Sequence, residues 1–213
     1  ILFPNEHGAW SLLATAFLLG WLAAPTLSWQ PLFLLPAAIG AFVARYPLGL
    51  YFKKSRMTRA LKISLNREKK WFGIYSILTV IVALPLFLSL GWWWLLPFVG
   101  LSILIFIWHL KSIKRRQERT FFAEWSAMCG LSLLVPASAY ATLLYFHWQP
   151  LVLWGLFVGF YSWRIATIRS QVRNKKQQAT DIQKIGKQEL LYSGLFIVVV
   201  IGMARFLYDA GIL

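Results

Sequence analysis

Seven long apolar runs, separated by short loops that alternate between uncharged and strongly basic, leave this chain few ways to fold. The runs cover about 7–24, 32–51, 71–90, 95–110, 121–146, 151–168 and 190–207. A helix crosses the hydrocarbon core of a bilayer with about 20 predominantly apolar residues. Inside the bilayer every backbone N–H and C=O must find a partner, so only helices and closed barrels span it. Segments of alternating polarity at strand length do not occur, which excludes a barrel. The expected fold is therefore all-α, a polytopic transmembrane helix bundle of about seven spans forming a single domain over residues 1–213. The chain is 14% charged, where soluble domains carry about 25%. It begins at Ile1 without a methionine and stops soon after Asp209. A truncated start and missing C-terminal spans, eight or nine spans in all, are expected.

The net charge of +15 raises nucleic acid as a partner. The location of the charges argues against it. Lysines and arginines gather in three loops, at about 52–70, 111–120 and 169–189, while the other three connectors hold none. Basic loops mark the cytoplasmic side of a membrane protein. This places the N-terminus in the cytoplasm, with membrane lipids as partners and no nucleic acid. Anionic headgroups attract such loops. Cys129 is the lone cysteine and the three histidines lie in separate segments, so neither a disulfide framework nor a metal site is expected. No cofactor is indicated.

Ionisable residues at membrane depth are costly and are kept for function by default. The first run opens with Phe3-Pro4-Asn5-Glu6-His7-Gly8-Ala9-Trp10. Pro4 suits a helix start, and either Asn5 and Glu6 only cap the helix and complement its dipole or Glu6 and His7 turn inward to build a polar site. Gly8 is expected to admit a neighbouring backbone. Arg45, Glu124, Arg164 and Arg169 fall near the same membrane face as Glu6 and His7. Glu124 is expected to face inward and to pair with Arg164, Arg169 or Arg45, since a carboxylate one turn inside a span cannot reach far toward water. Arg45 alternatively snorkels to headgroups, which also suits Arg169 and Arg173. Glu6, His7, Arg45, Glu124 and Arg164 are expected to line one cavity. In it Glu6, His7 and Glu124 are the acid–base candidates, and Arg45, Arg164 and Arg169 hold an anion. His109 and His147 are expected to be interfacial, as are the indoles of Trp92-Trp93-Trp94 behind a tight turn at Gly91. Gly155 and Gly159 form a GxxxG pair of the kind that brings membrane helices together.

Glu6-His7-Gly8-Ala9-Trp10 behind Pro4, then Glu124-Trp125, then Tyr161-Ser162-Trp163-Arg164 and Ile168-Arg169-Ser170-Gln171-Val172-Arg173, resemble the YwiC-like family of bacterial integral membrane proteins. That resemblance implies a bacterial inner-membrane location and no established activity. The pattern of short outer turns and long basic loops after the second, fourth and sixth runs also resembles UbiA-type prenyltransferases. Those enzymes hold a prenyl diphosphate through magnesium on aspartate-rich motifs. Here the corresponding places read Arg45-Tyr46-Pro47-Leu48 and Arg164 to Arg173, with no Asp-x-x-x-Asp or Asn-x-x-x-Asp anywhere.

Three functions are compatible with these residues. The first is an enzyme or binding protein with a cytoplasm-facing pocket for an anionic lipid or isoprenoid headgroup. The second is a structural or assembly subunit of a membrane complex, its charges serving as packing ion pairs. The third, a transporter, lacks polar residues in the outer half of the bundle for a path through it.

Overall fold

The computed structural model of the chain describes residues 2, 4, 7–55, 65–88, 90–115, 120–143, 148–174 and 182–209. The described secondary structure is helical, in eight α-helices and two short 3-10 turns. Helix α1 is His7–Leu22, α2 is Leu34–Ser55, α3 is Asn66–Leu88 and α4 is Leu96–Lys114. Helices α5, Phe121–Ser132, and α6, Leu134–Leu143, follow end to end as one span. Helix α7 is Gln149–Asn174 and α8 is Ile182–Asp209. Among the described residues, six segments are long and apolar enough to cross a membrane: Gln30–Ser55, Asn66–Leu88, Trp93–Lys114, Phe121–Leu143, Gln149–Ser170 and Leu191–Tyr208. The first of the seven expected runs is a shorter apolar helix. At 1.5 Å per residue its 16 residues cover about 24 Å, short of a hydrocarbon core about 30 Å thick.

Proline placement follows from its missing N–H. Pro36, Pro97 and Pro136 stand in the first turns of α2, α4 and α6, where that donor has no partner to lose. Pro136 thus stands where the span Phe121–Leu143 breaks between α5 and α6. Pro47 and Pro85 lie inside α2 and α3. Pro47 cannot bond the carbonyl of Val43, which removes one rung from the turn that carries Arg45 and Tyr46. Gly91 adopts φ +64°, a conformation that favours glycine, and so turns the chain after α3. Of the tryptophans behind it, Trp93 is exposed at 56% but Trp92 is buried at 2%. The turn folds Trp92 inward, so the expected belt of three indoles is not all at the surface.

The chain divides into two compact units, residues 1–10 with 29–130 and residues 11–28 with 131–213. In the first unit α2 lies along α3, and Gly40 sits against Thr79, whose hydroxyl donates to the Tyr75 carbonyl at 2.7 Å. Gly130 of α5 meets Ile105 of α4. In the second unit Ala16 and Leu19 of α1, with Ala23 just past its end, pack with Val135, Leu153, Phe157 and Ala204. Small residues on α1 let Phe157 fill the space, and Phe160 stacks on Phe196 with ring centroids 4.1 Å apart. Without a hydrophobic drive between helices in lipid, such close packing supplies the cohesion. The Gly155 and Gly159 pair takes no part in it: both are exposed, and a Cβ at either would meet nothing within 4 Å. The same holds at Gly8. The close approach falls at Gly20 instead.

Candidate functional site

In the first unit, residues of α2 spaced three and four apart share one face. Phe42, Arg45, Tyr46, Gly49, Leu50 and Lys53 all line a cavity of about 300 Å³, closed on the other side by His109 and Ile113 of α4 and by Pro4. Gly49 lies in ordinary contact with Ile113. Both helices end in lysines, Lys53 and Lys54 on α2, Lys111 and Lys114 on α4, so the cavity stands at their basic ends. Arg45 is half-buried, with its guanidinium 5.6 Å from the Phe42 ring centroid. Lys53 is exposed, at the rim.

The N-terminal segment is anchored at this cavity. Trp10 Nε1 donates to the Pro4 carbonyl at 3.2 Å, and the Trp10 ring meets Phe42 edge-on at 4.7 Å. Tyr75 on α3 donates its hydroxyl to the Leu2 carbonyl at 3.0 Å. One tryptophan thus ties the start of the chain to the helix that carries Arg45. The chemistry of the Glu6–Trp10 motif includes this mechanical part, which sequence reading did not separate from its ionisable pair.

His109 lines the cavity. Its Nδ1 lies 3.2 Å from the Ala123 carbonyl of α5. A carbonyl only accepts, so Nδ1 carries the proton and the neutral ring has its acceptor at Nε2. Ala123 itself donates its N–H to the Thr120 hydroxyl at 3.3 Å, an N-cap that fixes the start of α5.

The remaining expected site residues are distributed as follows. Glu6 lies outside the described residues, and of His7 the backbone alone is described, as the first residue of α1. His147 also lies outside them. Glu124 occupies the first turn of α5 with its side chain exposed. The buried face of that helix runs through Ala123, Ser126, Met128 and Cys129, and 3.6-residue periodicity turns Glu124 away from it. A carboxylate there complements the positive end of the helix dipole. The expectation that it faces inward is corrected accordingly. Arg164 and Arg169 are on α7 in the second unit. Arg164 does turn inward, 6% exposed, with its guanidinium 4.4 Å from the Tyr192 centroid and 5.3 Å from that of Trp163. Aromatic faces attract a partly desolvated cation in this way. Arg169 is half-buried. Of the five residues expected to share one cavity, Arg45 is the one found among its described lining.

Sequence reading missed a buried carboxylate. Glu68, in the first turn of α3, is 1% exposed and accepts from Lys54 at 2.6 Å. It was visible only as the one acid in a basic loop. Among the described residues no three His, Cys, Asp or Glu side chains gather where they could hold a metal ion.

The six membrane-length helices and the alternation of basic and uncharged connectors define a helical integral membrane protein. Residues 3–139, which include the whole described lining of the cavity, match the family described as YwiC-like protein, and the chain belongs to that family. It is also similar to the uncharacterized protein YwiC of Bacillus subtilis (strain 168), at 32% identity over 125 residues, 58% of this chain. The matched region spans 47% of that relative's length, less than half. No solved structure matches the chain.

Proposed function

We propose that this protein binds the headgroup of an anionic amphiphile, a lipid or an isoprenoid, in the cavity between α2 and α4. The observation that carries this reading is the convergence of Arg45, Tyr46, Lys53 and His109 on one space whose other walls, Phe42, Leu50, Ile113 and Pro4, are apolar. Such a mixture suits the junction between a charged headgroup and its tail, and small-molecule sites combine an apolar lining with a few convergent polar groups. Arg45 supplies a planar fork for a phosphate or carboxylate. The cavity faces the cytoplasmic leaflet of a bacterial inner membrane, and the N-terminus is cytoplasmic. The basic loops support this orientation, as does the anchoring of Pro4 at the basic ends of α2 and α4. If the site is catalytic, as in a relative of UbiA-type enzymes, Glu6 and His7 are its acid–base residues.

Native mass spectrometry of the purified full chain tests this. An anionic lipid should remain bound to the native protein and be lost from Arg45→Gln, with the variant still folded by thermal unfolding. Retention of the same lipid by the variant would remove the site. The competing reading, a non-catalytic subunit of a membrane complex, draws on Glu124, an exposed carboxylate on a membrane-length span. It predicts co-purifying protein in place of co-purifying lipid.

A further inference from the structure

We infer that Tyr46 receives the ligand of the cavity, its hydroxyl donating a hydrogen bond to an oxygen of the anionic headgroup, and that Gly49 keeps open the neck through which that headgroup arrives. The inference rests on the headgroup reading given above and names the contact that completes it. Its first ground is the state of the polar lining. Arg45, Lys53 and His109 each already interact with other groups of the protein. Tyr46 is half-buried in the same wall, and its hydroxyl makes no hydrogen bond with any described residue. A phenol hydroxyl has one proton to donate. In a wall shared with Phe42, Leu50 and Pro4, a hydroxyl without a partner costs free energy that a ligand oxygen recovers. An anionic oxygen is the strongest acceptor for it.

The second ground is the level at which Tyr46 stands. Helices α2 and α4 both carry lysines in their last turn, so both run toward the basic side. A Cβ at Gly49 would lie 3.7 Å from Ile113 Cδ1, which sets the register of the two helices. One turn back from that point, about 6 Å deeper, come Arg45 and Tyr46 on α2 and His109 on α4. One turn forward comes Lys53, exposed at the rim. The cavity thus has a polar tier below the Gly49–Ile113 neck and a basic rim above it. A headgroup drawn to the rim reaches the tier through the neck, and a glycine there takes up the least width. Below the neck less water competes for the ligand, which strengthens each hydrogen bond and raises the cost of leaving an anionic oxygen without one. Tyr46 supplies that bond without giving up a contact within the protein.

The test uses the purified full chain in detergent, titrated with phosphatidylglycerol and read by native mass spectrometry, with thermal unfolding of each lipid-free variant alongside. Tyr46→Phe removes the hydroxyl alone. It should weaken lipid binding about tenfold, equivalent to about 1.4 kcal/mol, and leave the unfolding temperature of the lipid-free protein unchanged. A variant that unfolds earlier yet binds as tightly as the native chain would make the hydroxyl structural and overturn the inference. Gly49→Ala fits in ordinary contact with Ile113 and should bind nearly as the native chain does. Gly49→Leu should close the neck and abolish binding, and Gly49→Leu with Ile113→Ala should restore it, which separates a blocked neck from a misfolded chain. Full binding by Gly49→Leu overturns the neck. Binding by Tyr46→Phe equal to the native chain, with Arg45→Gln weakened, overturns the Tyr46 contact and leaves the headgroup reading standing. A native chain that does not bind phosphatidylglycerol overturns both. Competition by glycerol 3-phosphate as effective as the lipid itself, and lost in Tyr46→Phe, supports the contact and assigns the anion to a soluble compound.

Discussion

Gly20 of α1 and Ser138 of α6 meet with no room for a methyl group between them. A Cβ at position 20 would clash with the Ser138 hydroxyl oxygen and the Val135 carbonyl oxygen. The Ser138 hydroxyl has the carbonyls of Phe17, Leu134 and Val135 within 3.2 Å, and its bond to Phe17 joins the two helices. Its one proton satisfies a buried oxygen while the missing side chain at Gly20 lets the helices touch.

Gly20→Ala should therefore push α1 off α6. Overpacking costs about 1–3 kcal/mol where neighbours can shift, and here two of the atoms in the way are backbone, so the upper end is expected. Thermal unfolding in detergent measures it. Gly155→Ala is the matched control, since a Cβ there meets nothing within 4 Å and alanine favours the helix by up to about 1 kcal/mol. Equal destabilisation by the two substitutions would contradict the packing of α1 on α6.

Lys54 and Glu68 make the second prediction. Removing the lysine leaves a carboxylate that is 1% exposed without its cation. Breaking a buried pair costs about 3–5 kcal/mol, and because Lys54 is itself 40% exposed about 1–3 kcal/mol is expected after solvent screening. Lys54→Met should thus destabilise more than the double variant Lys54→Met with Glu68→Leu. A double-mutant cycle with no coupling between the two positions would show the pair to be incidental.

Trp10 tests the mechanical part of the N-terminal motif. Trp10→Phe removes the Nε1 donor to the Pro4 carbonyl and keeps a ring against Phe42. About 1 kcal/mol is the worth of such a bond. Hydrogen exchange should rise at the start of the chain, and affinity for the co-purifying lipid should fall several-fold. Unchanged exchange and affinity would mean that Trp10 does not hold Pro4 at the cavity.

Orientation is open to a direct measurement. Reporter fusions after residues 60, 115 and 178, each within a basic loop, should all report cytoplasm. A periplasmic signal after residue 60 or 115 would put the cavity in the other leaflet, and one after residue 178 would overturn the span count.

The sequence by itself determined the spans and the identity of their basic connectors. Whether a segment enters a bilayer depends on the summed transfer energy of its own residues, so six of the expected runs reappear as membrane-length helices in their expected places. The family was legible for the same local reason, in Glu6 to Trp10. Which side of each helix faces inward was not legible. In lipid the outside of a bundle is as apolar as its inside, so an apolar helix carries no stripe to point its polar residues. Only the tertiary structure could bring His109 and Lys53 beside Arg45, turn Glu124 outward and bury Glu68. It also moved the close helix contact from Gly8 and the Gly155 and Gly159 pair to Gly20, because a glycine matters where a backbone from elsewhere in the chain arrives, and its own neighbours in sequence do not say where that is.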